Sequence, residues 1–312
     1  MSVKQKAPTA VLGARAIPSG LLYGLGAYGL WGLLPLYFTI LVPAGPIEIV
    51  ASRVIFSVVV CALLVALSRS WKALRSAFLS PKVLAALVLA AVLISINWLT
   101  YTYGVISGRA VEASLGYFIN PLVSVLLGVL VFKERLRPMQ WVAVSLGGAA
   151  VFVLTASYGQ LPWIALTLAC SFGSYGLVKK KIGGLVDAAT SLTAETLILA
   201  PLAVTVMCAL AAHQRLTIFE NGPTHFWLLA SGGLITAVPL LFFGAAARRL
   251  PMTTIGLLQY TTPILQFTIA ITVLDERLST ERWIGFGVVW LALLALSADS
   301  IHHRWLVKNR RC

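Results

Sequence analysis

Two charged residues stand inside long apolar runs of this 312-residue chain: Arg53 in the run 46–67 and Glu195 in the run 188–211. A charge at the centre of a membrane helix costs roughly 2.5–3.5 kcal/mol on insertion scales, so such residues face a cavity or a partner. The two are 142 residues apart. Each sits ~7 residues, or ~10 Å at 1.5 Å per residue, inside its run. Long side chains aimed at the midplane would bring them into a charge pair, or leave two polar groups around a substrate path. Glu195 is the carboxylate set well inside an apolar run, which makes it the candidate proton carrier. The plainer alternative has Arg53 and Glu195 snorkelling to opposite interfaces without function.

A second set repeats at the same offset. Tyr117, Phe118, Asn120 and Pro121 correspond to Gln259, Tyr260, Thr262 and Pro263. Each proline removes a backbone donor and frees the carbonyl four residues back, at Tyr117 and Gln259. Freed carbonyls beside aromatics and amides line ligand cavities in membrane helices. The alternative is a packing kink, with Asn120 bonded to a neighbouring helix. A third set is Asn97, Trp98 and Tyr101, with 97 and 101 one turn apart on one face. An amide above a phenol on an apolar wall suits a small-molecule pocket; an aromatic belt at the interface is the competing reading. Tyr28 and Trp31 carry the same two readings. Glu48 and Glu112 begin apolar runs, where a carboxylate complements a helix N-terminus, and read as caps.

These residues need membrane helices to hold them. The chain is 59% hydrophobic and 11% charged, against roughly 25% charged in soluble domains. Ten runs are long enough to cross a bilayer, which takes ~20 apolar residues: about 20–42, 46–67, 82–106, 110–132, 139–157, 160–178, 188–211, 225–247, 252–274 and 282–301. The longest gaps, 68–81 and 212–224, leave room for a surface turn or a short interfacial helix. The fold expected is an all-α membrane protein. The basic N-terminal residues precede an apolar run longer than a signal peptide's, so that run reads as a retained first helix.

The net charge of +14 lies between the apolar runs and not on one polar face. That pattern speaks against nucleic acid as a partner and for the lipid bilayer. With the N-terminus inside, 19 Lys and Arg fall on cytoplasmic segments, 4 (Arg109, Arg215, Arg277, Arg282) on outer loops, and Arg53 within a run. Both termini are therefore expected in the cytoplasm. Cys61, Cys170, Cys208 and Cys312 have no paired spacing, and His213, His225, His302 and His303 do not cluster inside the runs. No cofactor or metal site is expected. No Walker A sequence is present, and no nucleophile or metal cluster points to an enzyme.

A longer repeat sets the architecture. Leu115–Leu154 (LGYFINPLVSVLLGVLVFKERLRPMQWVAVSLGGAAVFVL) aligns without a gap on Leu257–Leu296 (LLQYTTPILQFTIAITVLDERLSTERWIGFGVVWLALLAL), 142 residues on. Glu134, Arg135, Leu136 and Trp141 fall on Glu276, Arg277, Leu278 and Trp283. Five crossings per half is odd, so the second half must insert upside down. The matched turns agree: KERLR at 133–137 carries net +2, and DERLSTER at 275–282 net −1. The expectation is ten transmembrane helices as an inverted five-plus-five repeat. A cytoplasmic segment 1–19 precedes halves 20–157 and 158–301, and a basic tail 302–312 follows. Gly24, Ala27 and Gly32 in the first run, and Ser171, Gly173, Ser174 and Gly176 in the sixth, suit close helix packing.

The runs NWLTYTYGV at 97–105, RAVEASLGYFINPL at 109–122 with VLLGVLVFKERL after it, and SFGSYGLVKKK at 171–181 carry a resemblance. With the doubled ER-L turn, the chain resembles the drug/metabolite transporter superfamily with paired EamA domains, over about residues 20–300. Thr102-Tyr103 stand where that pattern usually has tryptophan. The resemblance implies ten helices, location in the cell membrane and transport of a small organic molecule, and names no substrate. The function expected is a secondary transporter working by alternating access, coupled to an ion gradient or to exchange. A non-transporting sensor or scaffold, or a channel, are the alternatives. A homodimer is compatible with the sequence.

Overall fold

The structure is a computed structural model and describes residues 19–133, 136–247, 249–250 and 252–309. Glu134 and Arg135 of the first ER-L turn, with Lys4, Lys6, Arg15 and the last three residues, lie outside the described residues. Among the described residues all regular structure is helical. The helices are α1 (Ser19–Gly32), α2 (Leu34–Thr39), α3 (Pro46–Ser68), α4 (Trp71–Leu79), α5 (Pro81–Ile106), α6 (Ala110–Phe132) and α7 (Pro138–Tyr158). They continue with α8 (Trp163–Ile182), α9 (Ala188–Ala212), α10 (Gly222–Ala230), α11 (Gly232–Ala247), α12 (Met252–Leu258), α13 (Thr261–Thr272) and α14 (Thr280–Asn309).

Three of the expected runs are broken helices. The first divides at Leu33, just before Pro35 in the opening turn of α2. The run 225–247 divides at Ser231, before Gly232-Gly233. The run 252–274 divides at Gln259–Tyr260, before Pro263. Proline fits the first turn of a helix, where its missing N–H has no partner to lose. Its repeat-mate Pro121 stays inside the continuous helix α6. Eight segments of the described residues are long and apolar enough to cross a membrane. The segments α8 and α12–α13 fall short. The last turn of α8 carries Lys179, Lys180 and Lys181, and the break divides α12–α13 into pieces of 7 and 12 residues.

Many large apolar side chains point outward from the helices: Leu67 is 74% exposed, Phe152 75% and Leu294 66%. Water would penalise such a surface, and lipid does not. The chain is a membrane protein. In the gap 68–81, α4 is a short amphipathic helix. It buries Leu74 and Ala77 against Val65, Val83, Leu87, Ile182 and Ala194, with Lys72 and Arg75 exposed.

The most extensive helix contacts join the first half of the chain to the second: α7 with α14, α6 with α8, α3 with α9, α1 with α11, and α5 with α8. Further contacts join α6 with α13 and α1 with α13. Phe118 of α6, Phe267 of α13, and Phe286 and Trp290 of α14 pack as one aromatic cluster, with Phe267 and Phe286 centroids 4.8 Å apart. Glycines admit the closest approaches. A Cβ on Gly233 would lie 2.5 Å from the Phe56 carbonyl oxygen, and one on Gly116 2.8 Å from that of Ala165. Gly24 and Gly32 likewise receive Leu258 and Leu265, whereas a Cβ on Gly176 meets nothing within 4 Å.

At one end of the bundle three carboxylates tie the halves together. Glu48 accepts from the Thr217 and Ile218 amides at 2.8 and 2.9 Å. Glu112 accepts from the Ile164 amide at 3.1 Å. Glu276 accepts from the Ala110 and Val111 amides at 2.6 and 2.9 Å. The cap reading of Glu48 and Glu112 is corrected in this respect. Both open a helix, yet their oxygens bond to the backbone of another segment, with Glu112 also holding Arg109 at 2.6 Å.

Candidate transport site

Arg53 projects from α3 into the bundle and is 4% exposed. Its Nε donates to Thr236 Oγ1 of α11 at 2.7 Å, and that hydroxyl donates to the Gly232 carbonyl at 2.8 Å. The guanidinium lies over the Trp98 ring of α5, 4.5 Å from its centroid. A cation on an aromatic face gains ~0.5–2 kcal/mol, more as the site is desolvated. Gly232 makes room: a Cβ there would sit 3.3 Å from Tyr37 Oη and 3.4 Å from the Arg53 backbone. Tyr37 donates to the Leu228 carbonyl at 2.8 Å.

Beside this group, Asn97 Nδ2 donates to the Leu168 carbonyl at 3.2 Å and to Ser171 Oγ at 3.1 Å, tying α5 to α8. Its Oδ1 accepts from Tyr117 Oη of α6 at 2.9 Å. The Tyr101 and Tyr117 rings meet edge to face at 5.5 Å. Among the described residues, Tyr101 Oη and Asn120 Oδ1 are buried without a hydrogen-bond partner. Burying such a group unpaired costs about 1–3 kcal/mol. Pro121 is half-buried on the same helix.

The structure thus brings Arg53, Asn97, Trp98, Tyr101, Tyr117 and Asn120 into one region where α3, α5, α6, α8 and α11 meet. The expected pairing of Arg53 with Glu195 does not occur. Glu195 Oε1 instead accepts from Lys179 Nζ at 2.7 Å and Ser191 Oγ at 2.8 Å, and Oε2 from Tyr175 Oη at 3.1 Å. Lys179 also donates to Ser191. The physical reason is reach. The last turn of α8 lays a long cation beside the first turns of α9, and that pair is satisfied before Arg53 is needed.

The remaining candidates form a separate group between α1 and α13. Thr262 Oγ1 donates to the Tyr28 carbonyl at 2.8 Å, and Gln266 Nε2 to the Trp31 carbonyl at 3.1 Å. Tyr28 and Trp31 pack with Phe243 of α11, ring centroids 5.6–6.1 Å apart. Gln259 and Tyr260 are half-buried at the α12–α13 break, and Pro263 is buried just after it.

Sequence reasoning passed over Thr236, Tyr37, Tyr175, Lys179 and His225. A signal for two of them existed. Tyr175 and Lys179 are one helical turn apart, as are Ser191 and Glu195, so two facing pairs were present. His225 is buried in α10 and shares the Thr217 hydroxyl, at 2.9 Å, with Glu48.

Residues 18–156 and 162–298 each match the EamA-like transporter family. The chain belongs to that family. It is 48% identical over 285 residues to Protein RarD of Streptomyces exfoliatus, covering 91% of this chain and 89% of that one. It is 41% identical over 285 residues to an uncharacterized transporter of Pseudomonas aeruginosa, covering 90% and 94%. A solved structure described only as a crystal structure of a protein superposes with a TM-score of 0.58 at 19% identity, covering 92% of this chain and 98% of that one. That similarity concerns the fold alone.

Proposed function

We propose that this EamA-family chain is a secondary transporter of a small organic molecule, built as ten crossings in an inverted five-plus-five repeat. Exchange each crossing of one half for its counterpart in the other: α1–α2 for α8, α3 for α9, α5 for α10–α11, α6 for α12–α13, and α7 for α14. The contacts α7–α14, α3–α9 and α6–α13 then map onto themselves, α6–α8 onto α13–α1, and α5–α8 onto α11–α1. Two-fold packing of this kind supports the repeat. The ties of Glu48, Glu112 and Glu276 join the connections after the first, third, fifth, seventh and ninth crossings at one end, as alternating crossings require. By the distribution of Lys and Arg that end is the outer one, and both termini lie on the cytoplasmic side of the cell membrane.

The observation that carries transport is the hydrogen bond from Arg53 to Thr236 across the two halves, within a buried polar and aromatic cluster. Sites of this type lie at repeat interfaces near the midplane in secondary transporters. Rocking of the halves about the cluster would open it to each side in turn. The test is flux into proteoliposomes holding the purified chain under an imposed pH gradient. Amino acids, organic acids, neutral metabolites and amphenicols are offered in turn. Saturable uptake above protein-free liposomes is expected. Absence of flux for every class would favour a sensor or scaffold, and non-saturating flux a channel.

A further inference from the structure

Arg53 is a buried cation, and among the described residues no carboxylate forms an ion pair with it. The described carboxylates that form ion pairs are all used elsewhere: Glu112 with Arg109, Asp299 with Arg137 and Glu195 with Lys179. Glu48 and Glu276 are taken by backbone amides. Arg53 has instead one hydroxyl, on Nε, and the face of Trp98. Neither neutralises it, and among the described residues the guanidinium donates its side-chain hydrogen bond through Nε, to Thr236 Oγ1. A buried charge is retained where something pairs with it.

We propose that Arg53 binds the carboxylate of the transported molecule, and that the substrate is an organic monocarboxylate with an apolar or aromatic body. This rests on the transporter reading and names its substrate class. The guanidinium fork matches a carboxylate with two parallel N–H donors. Tyr101 Oη, buried and unpartnered, adds a neutral donor in the same cluster. The Trp98 ring under the guanidinium, and the edge-to-face Tyr101 and Tyr117 rings of the same region, offer apolar surface to a body next to the charge. A zwitterion fits less well. A carboxylate would hold its ammonium best, and Glu195, the deep one, already holds Lys179, Ser191 and Tyr175, which leaves the neutral Asn120 Oδ1 as the open acceptor.

The full chain in lipid nanodiscs is titrated with 3-phenylpropionate, its neutral amide, phenylalanine and phenyl phosphate, read by tryptophan fluorescence and by melting temperature. Saturable binding of the acid is expected, with a Kd at least about tenfold below that of each other compound. Arg53→Gln is expected to remove that advantage for the acid and to leave any binding of the amide unchanged. Without ligand its melting temperature should stay level or rise, because an unpaired buried charge is gone. Should Arg53→Gln fail to reach the membrane, two other variants report instead: Tyr101→Phe should weaken the acid selectively, and Trp98→Leu should weaken acid and amide together. Absence of acid binding, equal binding of acid and amide, preference for the phosphate, or full acid affinity in the variants would each overturn the proposal. Transport stands apart: proteoliposome flux of neutral or cationic compounds, insensitive to Arg53→Gln, would keep the transporter and discard the anion.

Discussion

Lys179 and Glu195 close an ion pair of 2.7 Å between the last turn of α8 and the first third of α9. The carboxylate side chain is 1% exposed and the lysine 26%. The partners are therefore unequal. Lys179 can swing its ammonium toward the helix end and water when Glu195 is gone, whereas Glu195 cannot leave.

Lys179→Ala should accordingly do more harm than Glu195→Gln. Stranding a buried charge costs about 3–5 kcal/mol, moderated here by the Ser191 and Tyr175 hydroxyls that remain. The double variant should recover most of the loss. Membrane level and melting temperature of the three variants decide it. Equal and negligible effects in both singles would show that the pair holds nothing together.

Gly233 and Gly244 lie on the same helix with opposite surroundings. A Cβ at 233 would press on the Phe56 carbonyl, while one at 244 meets nothing within 4 Å. Gly233→Ala should destabilise by about 1–3 kcal/mol through overpacking. Gly244→Ala should be neutral or stabilising by up to ~1 kcal/mol, since alanine is the better helix former. Thermal unfolding in one detergent ranks the pair, and the reverse order would refute the packing of α3 on α11.

Asp187 precedes α9 and accepts from the Ala189 and Thr190 amides at 3.1 and 3.0 Å. Its partial burial works to raise the carboxyl pKa, but the Thr190 hydroxyl and these amides outweigh it and hold the value below the ordinary one. A lowered folded-state pKa means stability that is present above the unfolded value and lost as pH falls through the folded one. Asp187→Ala should cost about 0.5–2 kcal/mol at neutral pH. The gap from wild type should close as pH drops below about 4. A gap that stays constant with pH would deny the charged cap.

Orientation is checked by single cysteines after Cys61, Cys170, Cys208 and Cys312 are removed. Cysteines at Ser70 and Lys180 should be shielded from an impermeant thiol reagent in intact cells, and one at Ser279 should label. Labelling at 70 without labelling at 279 would reverse the topology.

Helix identity was legible because apolar run length is a one-dimensional property of the sequence. The breaks at Leu33, Ser231 and Tyr260 were not, since Pro121 and Pro263 give the same signal and only one accompanies a break. Asn97, Trp98, Tyr101 and Tyr117 were legible as polar or aromatic groups at helical spacing, and they do meet. The partner of Arg53 was not. Thr236 is an ordinary hydroxyl in an apolar run, chosen by the approach of α11 through Gly232 and Gly233. The offset of 142 residues tempted a pairing of Arg53 with Glu195. Repeat equivalence sets depth in each half, and the neighbour is set by which helix packs there.

The three carboxylates at one end of the bundle bond to main-chain amides of the opposite half. Every residue except proline supplies such an amide. The receiving segments, 110–111, 164 and 217–218, are therefore free to change their side chains without releasing the clasp. For a chain whose two halves each match the EamA-like family, joining them in this way lets each half drift on its own. Inheritance needs to hold fast one acid on the giving side, and avoid proline on the taking side.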